Sequence, residues 1–150
     1  MSFTHPQGTY GAGIRPGRFV RCVNKLAAGR ARRARGSTMG MNLLVLTAVG
    51  RTSGEPRSTP LAWFPDDDGW LVIASAGAAA SNPAWYRNVA AHPDEVTIEL
   101  GGETIPVSAT ELHGEERTVA WERIKSSAKQ FAGYERKTDR QIPVIRLTRR

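Results

Sequence analysis

A single cysteine, Cys22, in a chain of 150 residues rules out an internal disulfide, and no CxxC or paired Cys/His spacing offers a zinc or iron–sulfur site. Long hydrophobic runs are missing too. Nothing approaches the roughly 20 apolar residues needed to cross a bilayer, and the N-terminus lacks the apolar core of a signal peptide. These absences predict a cytoplasmic protein. Acid is absent from residues 1–54, which hold nine Lys/Arg and carry +9, whereas residues 55–150, with 12 Lys/Arg and 14 Asp/Glu, carry −2. The net charge of +7 therefore belongs to an N-terminal arm, and the rest of the chain is nearly neutral. That arm lacks interleaved aromatics and any nucleic-acid-binding signature, so nucleic acid is not an expected partner.

Familiar catalytic and nucleotide signatures are also missing. His5, His92 and His113 lie in separate segments without a partnered Ser, Cys or ligand-spaced carboxylate, which reads as ordinary surface histidines and no metal site. "GTYGAG" at 8–13 has its glycines in the wrong order for a dinucleotide fingerprint and follows no strand. "GRTSGEPR" at 50–57 lacks the Gly-Lys-Ser/Thr ending of a phosphate-binding P-loop.

What remains is one domain's worth of alternating pattern. Strands are expected at about 42–49, 57–64, 70–75, 95–100, 103–112 and 142–148, joined at "PDDDG" and "GGE" by hairpin turns, which makes neighbours antiparallel. Helices are expected at about 83–91, 114–127 and 130–137, the second with Glu115 and Glu116 where the helix dipole favours them. The fold class is α+β, mostly β: a small, largely antiparallel barrel of about six strands decorated by helices. Ahead of it, residues 17–35 read as an amphipathic helix, with Phe19, Val23 and Leu26 on one face and Arg18, Arg21 and Lys25 on another. This divides the chain into a basic arm, 1–35, and a barrel, 36–150. The helix either caps the barrel or adsorbs to an anionic membrane, where each basic residue contributes on the order of 1 kcal/mol.

Two segments draw attention as binding sites. In "VGRTSGEPRSTPLAWF" (49–64), a glycine-held turn exposes backbone N–H groups, and Arg51, Thr52, Ser53, Arg57 and Ser58 add donors around it, which suits phosphate or carboxylate. A solvated polar hairpin would carry the same residues. In "SAGAAASNPAWYRN" (75–88), a strand ends in small residues that let a flat ligand approach the backbone. A helix then starts with Asn82 as N-cap and Pro83 at its first position, its free N–H groups suited to an anion. Trp85 beside it is either an aromatic surface for the ligand or, with Tyr86, a core anchor.

"LLVLTAVGRTSGEPRSTPL", then "VIASAGAAASNPAWYRNV", then "YERKTDRQIPVIRL" resemble, in that order and spacing over about residues 36–148, the deazaflavin (coenzyme F420)-dependent nitroreductase and quinone reductase family of actinobacteria. The resemblance implies a split β-barrel like that of the FMN-binding flavin reductases, and hydride transfer from reduced coenzyme F420 to a quinone, nitroaromatic or other activated double bond, with an FMN-using or non-catalytic flavin-binding relative of the same barrel as the alternative. By position, Arg51, Thr52, Ser53, Arg57 and Ser58 would hold the phosphate or glutamyl tail. Pro60, Leu61, Ala74 and Ser75 would lie against the ring, and Asn82, Trp85 and Tyr86 would close the other side. Ser75 and Tyr134 would face the acceptor, Tyr134 as the proton source or else a packed surface tyrosine. Family members often carry Lys at the positions of Thr52 and Ala76, so Arg87 is a candidate replacement cation. Ala128 and Phe131 stand where some members have tyrosines. Besides the small acceptor, the partners left open are an anionic membrane surface, through residues 15–35 on the inner face of the cell membrane, and a second copy in a homodimer.

Overall fold

The computed structural model describes residues 3–11, 37–38, 41–67, 69–76 and 79–150; the basic helix expected over 17–35 lies outside them. The strands are β1 (Ser37–Thr38), β2 (Met41–Val49), β3 (Pro56–Asp66), β4 (Gly69–Ile73), β5 (Val96–Leu100), β6 (Glu103–Glu111) and β7 (Val144–Arg149). The helices are α1 (Ala84–Ala91), α2 (Gly114–Ser127) and α3 (Gln130–Lys137). Every pairing is antiparallel, in the order β1-β2-β3-β4-β7-β6-β5. The sheet closes on itself through β2 and β5, with Leu46 opposite Ile98, and so forms a six-stranded antiparallel barrel.

Alternation along the strands decides what fills it. Leu44, Leu46 and Ala48 of β2 point inward with Leu61, Trp63, Val72, Ile98, Val107, Ile145 and Leu147, while Val45 faces the other way. At the end where β2, β4 and β6 finish, the inward residues are small: Ala48, Ala74 and Ala109. There α1 contributes Trp85, Tyr86 and Val89 to the same cluster. A second cluster lies on the outer face of β4 and β7, where Leu71, Ile73 and Val144 pack against Trp121 and Ile124 of α2 and Phe131 of α3. Full burial of such side chains stabilises by about 1.5–3 kcal/mol each.

The barrel is split beside α1. β2 pairs with β3 from Pro56 to Ala62, but β4 pairs with β3 only from Trp63 to Asp66. On its other side, the first half of β3 therefore has no strand partner among the described residues, and Pro56 and Pro60, which lack an N–H, suit such an edge. β4 stops at Ile73, two residues short of the sequence expectation.

The helices fall where the sequence placed them, with one shift: α1 begins at Ala84 and its N-cap is Pro83, without a side-chain cap bond. Asn82 is diverted from capping by other partners. Its Nδ2 donates to the Pro6 carbonyl at 2.9 Å and its Oδ1 accepts from Arg140.

Pro6 belongs to a strap, residues 3–11, laid against the barrel. Thr4 donates through its N–H and its hydroxyl to Glu111 Oε2 (3.0 and 2.9 Å), and the Gly8 N–H donates to the Ala80 carbonyl (2.8 Å). Thr9 and Tyr10 N–H groups donate to Asp139, while the Thr138 hydroxyl donates to the Tyr10 carbonyl at 2.7 Å.

Candidate functional site

The split is rimmed on one side by the β2–β3 turn and the start of β3. The turn is closed by Gly50 N–H donating to the Glu55 carbonyl and Gly54 N–H donating to the Gly50 carbonyl, both at 2.8 Å. Gly54 sits at φ +71°, where a side chain would be strained, and a Cβ on Gly50 would come within 2.6 Å of Ser53 Oγ. Ser53 Oγ accepts from the Glu55 N–H (3.2 Å), and the Thr47 and Ser58 hydroxyls share a 2.9 Å bond across the strands. Arg51 is clasped to α1: its backbone N–H and its Nη1 both donate to Asn88 Oδ1, at 3.1 and 2.9 Å, and Asn88 is 6 % exposed.

Arg57 is exposed and pairs opposite Ala48, so it shares the inward-facing side of β3 with Thr59 and Leu61. Neither Arg57 nor half-buried Arg87 meets a carboxylate among the described residues. Arg51, Thr52, Ser53, Arg57 and Ser58 are thus all exposed and gathered on one turn and strand start, with Pro60 and Leu61 half-buried farther along the same strand. This donor set, with no acid on the same turn among the described residues except exposed Glu55, fits an anionic tail.

The other rim is formed by residues 74–76 and 79–82 with α1. Ala74 is buried and Ser75 half-buried. Arg140, 3 % exposed, reaches under this segment: Nε donates to the Ala79 carbonyl (2.9 Å), Nη1 to the Ala74 carbonyl (3.0 Å) and to Asn82 Oδ1, and Nη2 to the Ser75 carbonyl (2.7 Å). Burying a guanidinium is costly, and four acceptors offset that cost. Burial pushes the Arg140 pKa down to about 10, which leaves it charged at neutral pH.

Asn82 and Tyr86 are committed within the protein. Tyr86 is fully buried, stacked edge-on with Phe3 and His5, and its hydroxyl donates to Glu111 Oε1 at 2.5 Å while accepting from the His5 N–H at 3.1 Å. Burial first, and then the bond to Glu111, push its phenol well above the ordinary value, so it stays protonated. Trp85 lies in the core cluster at 8 % exposure. Tyr134 of α3 is half-buried on the outer cluster, edge-on to Phe131 at 5.6 Å, and Phe131 in turn meets Phe64 of β3 at 5.8 Å.

The sequence reading missed Asn88, Arg140, Glu111 and the strap. Each acts through partners 25 to 107 positions away, and a lone Asn, Arg or Glu carries no spacing signal of its own. The one local hint is that Arg140 closes "KTDR" immediately before the apolar run "IPVI".

A profile of the F420H(2)-dependent quinone reductase family matches residues 20–149. An F420H(2)-dependent quinone reductase of Mycobacterium tuberculosis is 34 % identical over 110 residues, 71 % of this chain and 73 % of that protein. The structure of an F420-H2-dependent reductase, FDR-A, is 35 % identical with a TM-score of 0.63, over 70 % of this chain and 92 % of its own. A structure described as a domain-swapped dimer is 31 % identical with a TM-score of 0.64, over 82 % of this chain and 97 % of its own. The barrel thus has the split-barrel architecture of the flavin reductase-like reductases.

Proposed function

The chain belongs to the F420H(2)-dependent quinone reductase family, and from that membership we propose how its own residues divide the work of an F420-dependent oxidoreductase acting on quinones. Reduced coenzyme F420 supplies the hydride, which the side chains of this protein cannot. Arg57 and the exposed part of Arg51, with Thr52, Ser53 and Ser58, hold the phosphate and carboxylates of the cofactor tail through charge-assisted and neutral hydrogen bonds. Pro60 and Leu61 on one rim and Ala74 and Ser75 on the other enclose the flat ring. Arg87 adds a cation from α1 itself. Trp85 backs the site from the core, while Asn82 and Tyr86 act by fixing the 74–82 segment and α1. Ser75 orients the acceptor oxygen and Tyr134 delivers the proton.

The observation that carries this reading is the Arg57 guanidinium, without an ion-pair partner among the described residues, beside a donor-rich turn at the split of the barrel. Titrating the protein with oxidised coenzyme F420 and with FMN, each followed by its own fluorescence, tests it. Saturable binding of F420 at much lower concentration than FMN is expected, and preference for FMN would overturn it.

Two further features belong to the same proposal. The protein works as a homodimer, supported by the 31 % identical neighbour described as a domain-swapped dimer, and light scattering on a sizing column checks this. Residues 15–35, with eight Lys/Arg and no acid, hold the enzyme on anionic membrane, where lipid-soluble quinones reside. Among the described residues, which do not include 15–35, no helix is long and apolar enough to cross a membrane. Co-sedimentation with vesicles should require anionic lipid, weaken with salt and vanish on deletion of residues 17–35. Full-length protein that ignores anionic vesicles at low salt would contradict it.

A further inference from the structure

We propose that Arg140 is a positioning residue that turns the backbone N–H groups of Ser75 and Ala76 toward the split, where they donate to a ligand oxygen carrying partial or full negative charge. The inference rests on the split being the deazaflavin site. The Arg140 guanidinium draws the Ala74 and Ser75 carbonyls toward itself at 3.0 and 2.7 Å. No peptide bond is cis among the described residues, so each of these peptides carries its N–H on the side opposite its carbonyl. The N–H groups that follow, of Ser75 and Ala76, therefore point away from the buried guanidinium, on the half-exposed side of the rim.

The nearest described donors on either side are occupied: Ala74 N–H donates to the Pro143 carbonyl (3.0 Å) and Ala79 N–H to the Ala76 carbonyl (3.1 Å). Ser75 and Ala76 N–H groups have no acceptor among the described residues. Two adjacent half-exposed backbone donors with no protein acceptor among the described residues can exchange water for a ligand oxygen. Ala76 lies at φ +49°, an uncommon conformation for a residue with a Cβ, of the kind that lets successive N–H groups converge on one anion. Arg140 adds a positive charge with no carboxylate bonded to it, which raises the affinity of the pair for negative charge. The ligand class is a ring carbonyl or enolate-like oxygen. Either the cofactor ring or a quinone acceptor could present it.

Amide proton and nitrogen NMR of the full chain, titrated first with oxidised coenzyme F420 and then with a water-soluble naphthoquinone, separates the two sources. The Ser75 and Ala76 amide protons should move downfield with one of them. In Arg140→Lys, which keeps the charge but cannot fork across the carbonyls, those shifts should disappear and the dissociation constant of that ligand should rise about tenfold. If F420 and quinone both bind and the two amides stay in place, or if the Lys variant reproduces the wild-type shifts, the inference is wrong. A Lys variant that fails to fold leaves the wild-type amides as the deciding readout. Failure of wild-type protein to bind F420 at all would instead overturn the cofactor assignment, and this inference with it.

Discussion

Arg57→Ala separates a binding role from a structural one. The Arg57 side chain is exposed and makes no hydrogen bond or ion pair among the described residues, so its loss should leave stability within about 0.5 kcal/mol of wild type. A charge-assisted contact to phosphate or carboxylate contributes about 1.5–3 kcal/mol, which corresponds to roughly a tenfold to hundredfold loss of affinity. Because the turn is open to water, screening at physiological salt should place the effect near the tenfold end, growing as salt is lowered toward about 0.01 M. The assay is fluorescence titration with oxidised F420 at two salt concentrations, alongside thermal unfolding. A folded variant whose dissociation constant and salt dependence match wild type would refute the assignment. So would a large fall in melting temperature, since it would reveal a structural contact that the geometry does not contain.

The neighbouring clasp should behave differently: Asn88→Ala removes the acceptor shared by Arg51 N–H and Nη1, and should destabilise by about 1–3 kcal/mol while also weakening F420 binding; unchanged thermal unfolding would show the clasp to be idle. Tyr134→Phe keeps the ring packing against Phe131 and should leave cofactor affinity alone while lowering turnover of a quinone; undiminished turnover would make solvent the proton source. The strap should be acid-resistant. The Thr9 hydroxyl holds the Asp139 carboxyl below its ordinary value of 3.8, so that contribution is complete above the ordinary value and is lost as pH falls through the lower folded one. Thr9 and Tyr10 amide signals should therefore stay native down to about pH 4, and loss of them near pH 6 would contradict this.

The barrel's repeating parts were legible in the sequence because they are periodic. Leu44, Leu46 and Ala48 alternate with outward residues, and α2 and α3 begin and end at the residues expected, 114–127 and 130–137. The turn 50–55 was legible through Gly50 and Gly54. The split was not, because its cause is that β3 and β4 part company after Trp63, a matter of two strands rather than of either one. The end of β4 was overread by two residues for a related reason: Ala74 and Ser75 continue the apolar, small pattern of a strand, but their carbonyls turn to Arg140 instead of a neighbouring strand. Asn82-Pro83 has the composition of a helix start, yet the Asn82 carboxamide is held by Pro6 and Arg140, 76 and 58 positions away, and the cap moves to Pro83.

Hydride transfer from reduced coenzyme F420 to a quinone is the activity this barrel should show. Purified full-length protein mixed anaerobically with reduced F420 and a naphthoquinone should restore the fluorescence of oxidised F420 at a rate proportional to enzyme, saturating in both reactants. Fluorescence that returns no faster than in the enzyme-free control, with F420 demonstrably bound, would contradict it.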